Sequence, residues 1–407
     1  MMIGALARGR SEISNLNLGG DVGATATAVT KLGAPVEVDP NAGSAWIDGP
    51  GPDRLHEPPD VIDAGNSGTT LRCLLGILSA VEGMSVVTGD ESLRRRPMLR
   101  VVAPLRQLGA SIEGRDHGDR APLVVRGAEL RGAEIEIPVA SAQVKTALLL
   151  AGLRADGPTT VISPRPSRDH TERMLTATGV GLEISEDSIS IAPGEPKPFR
   201  LRVPGDASSA AFLIVAALLV PGSDLTVTGV GLNPSRTALF DVLREMGAEI
   251  EVETTAEEMG EPVGTIRAKH SSLSRTEVRP EAIPALVDEI PILAVAATQA
   301  TGTTTIAGAG ELRVKESDRL ATVAAALRSL GASVEERPDG LEVSGPAQLD
   351  GGEVESAGDH RIALALAVAG LVASAPVRVN RWACVDTSFP EFLDLLGDAQ
   401  GKGWKRS

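Results

Sequence analysis

Along the chain, apolar positions recur first at helical spacing and then in strand-like alternation, and this succession repeats. A segment rich in Ala and Leu ends near Gly or Pro. A short run of β-branched residues follows, and a polar loop leads into a second helix that stops at glycine. The second helices are expected to end at Lys31-Leu32-Gly33-Ala34, Leu108-Gly109-Ala110, Thr178-Gly179-Val180-Gly181, Met246-Gly247-Ala248, Leu330-Gly331-Ala332 and Leu395-Leu396-Gly397. Glycine just past a periodic segment supplies the positive φ of a helix C-terminus. Ser111-Ile112-Glu113 and Glu249-Ile250-Glu251-Val252 read as strands that follow. The unit is about 65 to 85 residues long and occurs six times, which predicts two similar α/β domains of three units each. Their seam is placed near Val203-Pro204-Gly205, giving domains over residues 1–204 and 205–399 and a tail over 400–407.

The apolar helices open on polar residues: Asn66-Ser67-Gly68-Thr69, Ser141-Ala142-Gln143, Asp206-Ala207-Ser208-Ser209, Asp288-Glu289 and Asp359-His360-Arg361. Capping alone explains any one of them. Their recurrence at one place in an aligned repeat predicts helix N-termini gathered on a common site, where free N–H groups favour phosphate or carboxylate. The first repeat differs, because its apolar helix covers only residues 1–7 and opens without such a cap.

Four cationic clusters sit in the connecting loops: Arg94-Arg95-Arg96-Pro97, Ser167-Arg168-Asp169-His170-Thr171-Glu172-Arg173, Arg313-Val314-Lys315-Glu316-Ser317-Asp318-Arg319, and Arg361 beside Asp359 and His360. Taken singly, each is also readable as a solvated face with i,i+3 or i,i+4 surface pairs. Their matching positions favour capture of an anionic small molecule, for which arginine is suited.

Composition narrows the field. A formal charge of -15 and an aromatic content of 2%, without tyrosine, argue against nucleic acid and anionic membrane as partners. The longest nearly apolar stretch, residues 362–377, falls short of the ~20 residues of a membrane span. No secretory signal is readable, and a cytoplasmic location is expected. Cys73 reads as core and Cys384 has no evident base, so neither is a candidate nucleophile. His170 and His360 lack a spaced third ligand for a metal. Neither a P-loop nor a dinucleotide fingerprint occurs.

Taken in order, these segments resemble the 5-enolpyruvylshikimate-3-phosphate synthase family (3-phosphoshikimate 1-carboxyvinyltransferases) over essentially the whole chain. The resemblance is carried by Gly65-Asn66-Ser67-Gly68-Thr69, Arg95-Arg96-Pro97-Met98, Ser141-Ala142-Gln143-Val144-Lys145, the segment from Ser167 to Leu175, Gly205-Asp206-Ala207-Ser208-Ser209, Asp288-Glu289-Ile290-Pro291, the segment from Arg313 to Leu320, Gly358-Asp359-His360-Arg361 and Ser388-Phe389-Pro390. It implies an α/β fold of two similar domains, each of three βαβαββ-type repeats, with a ligand cleft between them. It also implies transfer of the enolpyruvyl group of phosphoenolpyruvate to the 5-hydroxyl of shikimate 3-phosphate, with release of phosphate, on the route to chorismate and aromatic amino acids. No metal or organic cofactor is implied. The partners are the two small molecules, with no nucleic acid and no membrane, and the chain is taken as a monomer.

By motif, Ser141, Gln143, Ser167 and Arg168 are then expected to bind shikimate 3-phosphate. Arg96, Arg319 and Arg361 are expected to clamp phosphoenolpyruvate, with Asn66 and Gly68 shaping the pocket beside it. Asp288 corresponds to the carboxylate that deprotonates the 5-hydroxyl, Glu316 to the group that moves a proton at the methylene carbon, and Lys315 to a cation beside the departing phosphate. Two departures accompany the match. The family's Lys-Ser-x-Ser-x-Arg motif would precede the segment that matches residues 1–7, so a truncated or misplaced start is expected. Thr387 stands where some members have Lys. The alternatives are a UDP-N-acetylglucosamine enolpyruvyl transferase, whose relatives carry a reactive Cys in the loop that here reads Gly89-Asp90-Glu91-Ser92-Leu93-Arg94, and an inactive ligand-binding remnant.

Overall fold

The computed structural model describes residues 1–137, 140–163 and 166–400. The side chains of Thr387 and of residues 398–400, and the expected tail from residue 401 on, lie outside the described residues. Two compact units emerge: Met1–Val203 with Glu258–Glu261, and Pro204–Glu257 with the chain from Pro262 on.

The first unit contains three four-stranded sheets of one plan. In the second sheet Ile62–Asp63 pairs in parallel with Met84–Thr88, which pairs antiparallel with Arg120–Arg126, and that strand with Ser111–Arg115. The third sheet repeats this with Glu134–Glu136, Thr159–Ile162, Ser188–Ile191 and Leu182–Ile184. In the first sheet the parallel edge comes from the far end of the unit: Arg200–Arg202 lies beside Arg8–Ser14, with Ile13 opposite Leu201. The helices Gly68–Leu78 and Ala142–Gly152 are almost wholly apolar and buried, and they lie side by side. The approach is so close that a Cβ on Gly76 would stand 2.1 Å from the Ala147 carbonyl oxygen.

In the second unit, Glu277–Val278, Gly302–Ile306, Gly340–Gly345 and Ser333–Arg337 reproduce the four-stranded plan. A three-stranded sheet is built from Asp224–Gly231, Glu261–Lys269 and Glu249–Glu258, and a parallel pair from Gly352–Glu355 and Val377–Asn380. Three helices, Ala207–Leu219, Ile290–Gln299 and His360–Ala369, pack against one another as the centre of this unit. They are hydrophobic all round, as helices enclosed by protein must be. Among the described residues no helix is long and apolar enough to cross a membrane.

Local chemistry accounts for the helix ends. Ser67, Asp206, Asp318 and Asp359 accept hydrogen bonds from backbone N–H groups of the first turns they precede. Five of the six expected glycine stops, Gly33, Gly109, Gly179, Gly247 and Gly331, have φ between +86° and +97°. Two expectations are corrected. The helix Phe392–Gln400 runs through Gly397 instead of ending there, which costs a helix about 1 kcal/mol relative to alanine and is tolerable. Asp288 and Glu289 lie in a 3₁₀ turn, Val287–Glu289, and neither side chain caps the helix that follows. Their carboxylates face cationic side chains, as described next.

Candidate active site

Each unit gathers one group of the expected site residues. In the first unit, Gly68 opens its helix, and the preceding turn presents Asn66. Arg96 follows the short helix Glu91–Arg95 and donates from Nη2 to Asn66 Oδ1 at 2.7 Å. Asn66 Nδ2 donates to Asp90 Oδ2 at 2.6 Å, so the amide is oriented from both ends. Gln143, in the first turn of Ala142–Gly152, is fixed in the same manner: Arg72 Nη1 donates to its Oε1 at 2.7 Å and its Nε2 donates to Thr69 Oγ1 at 2.9 Å. Ser141 caps this helix weakly, accepting from Val144 N at 3.5 Å, and its hydroxyl keeps capacity for a second partner.

Ser167 and Arg168 precede the helix His170–Ala177. The buried Ser167 hydroxyl has no hydrogen-bond partner among the described residues. The loop is tethered from below, since Lys145 Nζ, 4% exposed, donates to the Ser167 carbonyl oxygen at 3.5 Å and forms an ion pair with Glu172, 3% exposed.

The second unit places Asp288, Lys315, Glu316, Arg319 and Arg361 in one charged cluster. Arg319, 2% exposed, donates from Nε to Asp359 Oδ2 at 2.7 Å, from Nη1 to Asp288 Oδ1 at 3.0 Å and from Nη2 to Glu316 Oε2 at 2.6 Å. Burial opposes its charge, yet the surrounding carboxylates hold it protonated well above the ordinary range. For Asp359, burial alone would push the carboxyl up, but Arg319 prevails and holds it below its usual value. Lys315 Nζ stands 3.7 Å from Asp288 Oδ1, and Arg361 Nη2 stands 3.9 Å from Asp288 Oδ2. Glu316, unlike Asp288, keeps nearly a third of its side chain exposed. Two carboxylates of unequal exposure, each bonded to one guanidinium, can divide the work of a base and an acid.

Arg319 is thus a buried hub rather than half of a helix-surface pair. The Cys73 thiol is buried in the core and pushed up to about 12, and burial also raises the Cys384 thiol, which suits neither for nucleophilic work.

The sequence matches the EPSP synthase (3-phosphoshikimate 1-carboxyvinyltransferase) family over residues 1–396. The chain belongs to that family. It is 51% identical over 397 residues to the 3-phosphoshikimate 1-carboxyvinyltransferase of Desulforudis audaxviator, covering 97% of this chain and 92% of that protein. It is 52% identical over 400 residues to the enzyme of the same name from Pelotomaculum thermopropionicum, with the same coverage. Among solved structures, EPSP synthase from Acinetobacter baumannii superposes with a TM-score of 0.88 at 40% identity, over 98% of this chain and 92% of that one. The enolpyruvyl transferase NikO from Streptomyces tendae shares the fold, with a TM-score of 0.78 at 19% identity over 98% of this chain and 91% of that one. These likenesses bear out the expected family and its α/β architecture.

Several members of the two clusters escaped the motif reading. Arg72 is the one charge inside an otherwise apolar, buried helix, and that incongruity was a usable signal. Lys145 carries the same signal in Ala142–Gly152, but its partner Glu172 carries none, since in sequence it looks like one more surface charge of the Ser167–Arg173 cluster. Arg236, which donates to Asp206 and Ser208, lies outside every quoted motif.

Proposed function

We propose that this chain transfers the enolpyruvyl group of phosphoenolpyruvate to the 5-hydroxyl of shikimate 3-phosphate and releases phosphate. The observation that carries the reading is the pair Asp288 and Glu316, both bonded to Arg319 and flanked by Lys315 and Arg361. The names of the relatives support this acceptor over UDP-N-acetylglucosamine.

In the proposed reaction Asp288 takes the proton of the 5-hydroxyl as its oxygen attacks C2 of phosphoenolpyruvate. Glu316 delivers a proton to the methylene carbon, and the C2 centre becomes tetrahedral. Glu316 then recovers a proton from that methyl group, the C2–O bond to phosphate breaks, and the phosphate leaves beside Lys315, taking up the proton that Asp288 had accepted from the hydroxyl. Arg96, Arg319 and Arg361 hold the anionic ends of phosphoenolpyruvate, with Asn66 and Gly68 shaping the space around Arg96. Ser141, Gln143, Ser167 and Arg168 hold shikimate 3-phosphate. Preorganised cations of this kind lower the barrier because they need not reorient as charge moves. The chain is further proposed to act as a monomer in the cytoplasm.

The test is phosphate release from the two substrates, by the chain as given and by one extended upstream with a Lys-Ser-x-Ser-x-Arg start. Release that depends on both substrates and falls at least a hundredfold in Asp288→Asn supports the proposal. A folded protein silent in both forms overturns it.

A further inference from the structure

The carboxylate beside Asp288 has no task in that reaction. Glu289 is 1% exposed. Its Oε1 accepts from Ser208 Oγ and lies 3.6 Å from Arg361 Nη1. Its Oε2 is buried without a hydrogen-bond partner among the described residues. Ser208 Oγ is itself held by Arg236 Nη2 at 2.6 Å, and the same nitrogen donates to the cap residue Asp206 at 2.7 Å. A relay therefore runs from Arg236 through Ser208 and Glu289 to Arg361. A buried carboxylate with an unmatched oxygen is unfavourable unless a cation is close, and Arg361 is that cation.

The distances around Arg361 differ in kind from those around Arg319. Arg319 commits three N–H directions to carboxylates at 2.6 to 3.0 Å. Arg361 meets the Asp288 carbonyl oxygen at 3.5 Å, Glu289 at 3.6 Å and the Asp288 carboxylate at 3.9 Å. It is attracted by both acids and closed on neither. Burial disfavours its charge, but Asp288 and Glu289 outweigh that and keep it protonated.

We propose that Glu289 is a positioning residue: held by Ser208, it draws on Nη1 of Arg361 while Asp288 draws on Nη2, so that the guanidinium stays open to the anionic end of phosphoenolpyruvate. The inference rests on the reading of Arg361 as a ligand of that substrate. Without Glu289 the guanidinium closes on Asp288, and one movement then occupies both the clamp and the base. The sign of the effect separates this role from simple charge compensation. Removing a merely compensating carboxylate makes the site more positive and tightens the hold on an anion, whereas removing a positioning one loosens it.

The experiment is steady-state phosphate release with each substrate titrated at saturation of the other, in the wild type, Glu289→Gln and Ser208→Ala, with folding checked by circular dichroism. Glu289→Gln is expected to raise KM for phosphoenolpyruvate about tenfold and to leave KM for shikimate 3-phosphate within about twofold. Ser208→Ala, which keeps the charge and removes its tether, is expected to shift the same constant severalfold in the same direction. An unchanged or lowered KM for phosphoenolpyruvate in folded Glu289→Gln overturns the inference. If that variant does not fold, the same result in Ser208→Ala overturns it. A wild type that releases no phosphate either as given or with the upstream extension overturns the proposed function, and this inference with it.

Discussion

A Cβ added to Gly68 would meet Arg72 Nη1 at 3.2 Å and Arg96 Nη1 at 3.4 Å. Both atoms are tips of flexible side chains, and no positive φ restricts the position, so the fold can accept alanine. What must give is the hold of Arg96 on Asn66 and of Arg72 on Gln143. Gly68→Ala is therefore expected to shift the urea unfolding free energy by less than about 1 kcal/mol. It is expected to raise KM for phosphoenolpyruvate severalfold, and an unchanged KM counts against Arg96 as a ligand. At this scale the sequence was legible where a residue type is conspicuous in its setting, as with the arginines of the loops. It was not legible where the role depends on burial. Arg319 in isolation reads as a surface pair with Glu316, and only its 2% exposure among three carboxylates reveals a hub. Glu289 looked like a cap, and its partners Ser208 and Arg361 lie far from it in the chain.

The helices Ala142–Gly152 and His170–Ala177 are fastened by Lys145 and Glu172, and Lys145 also tethers the Ser167 loop. A buried pair contributes little over an apolar replacement, but breaking it strands a charge at about 3 to 5 kcal/mol. Glu172→Gln should lower stability by that order and raise KM for shikimate 3-phosphate, since Lys145, which holds the Ser167 carbonyl, loses its buried counter-charge and is drawn away from that position. The double variant Lys145→Met, Glu172→Leu should recover most of the stability in denaturant titrations. A double variant no better than the single one would show that the pair itself stabilises the fold. Elements were the most legible level of the chain, because the glycine stops follow from backbone geometry at one position. Gly397 failed as a stop because the same residue is also tolerated inside a helix. The strand Arg200–Arg202 gave no signal, being three residues long and paired with a segment about 190 positions away.

Across the second unit, protonation is coupled to folding in a definite direction. His360 is partly buried beside Arg361, and burial followed by that charge lowers its pKa from 6.5 to about 4. In the unfolded chain it takes up a proton near 6.5, and the folded protein refuses that proton until about 4. Acidification through this window therefore favours unfolding, by up to about 3 kcal/mol at its lower end. Asp206 and Asp359 add to the effect at lower pH. Both are held below 3.8 against their own burial, chiefly by Arg236 and Arg319 respectively, so their contribution is complete above 3.8 and is lost as the pH falls further. Urea titrations from pH 7 to pH 4 should show falling stability, and His360→Gln should flatten that slope. An identical slope in the variant assigns it to other groups. The repeat plan and the division into two halves were readable because each copy supports the others. The grouping of Glu258–Glu261 with the first unit was not, since nothing in those four residues marks them.

The edge strand supplied by Arg200–Arg202 has a consequence for synthesis. A ribosome delivers Arg8–Ser14 first and its parallel neighbour only after nearly the whole first unit has been made. Until then the nascent chain carries an open sheet edge, available for mispairing with any extended segment nearby. The second and third sheets contain no such delay, because their parallel partners lie within a single repeat. The vulnerable interval of this sheet thus closes only once Arg200–Arg202 has emerged from the ribosome.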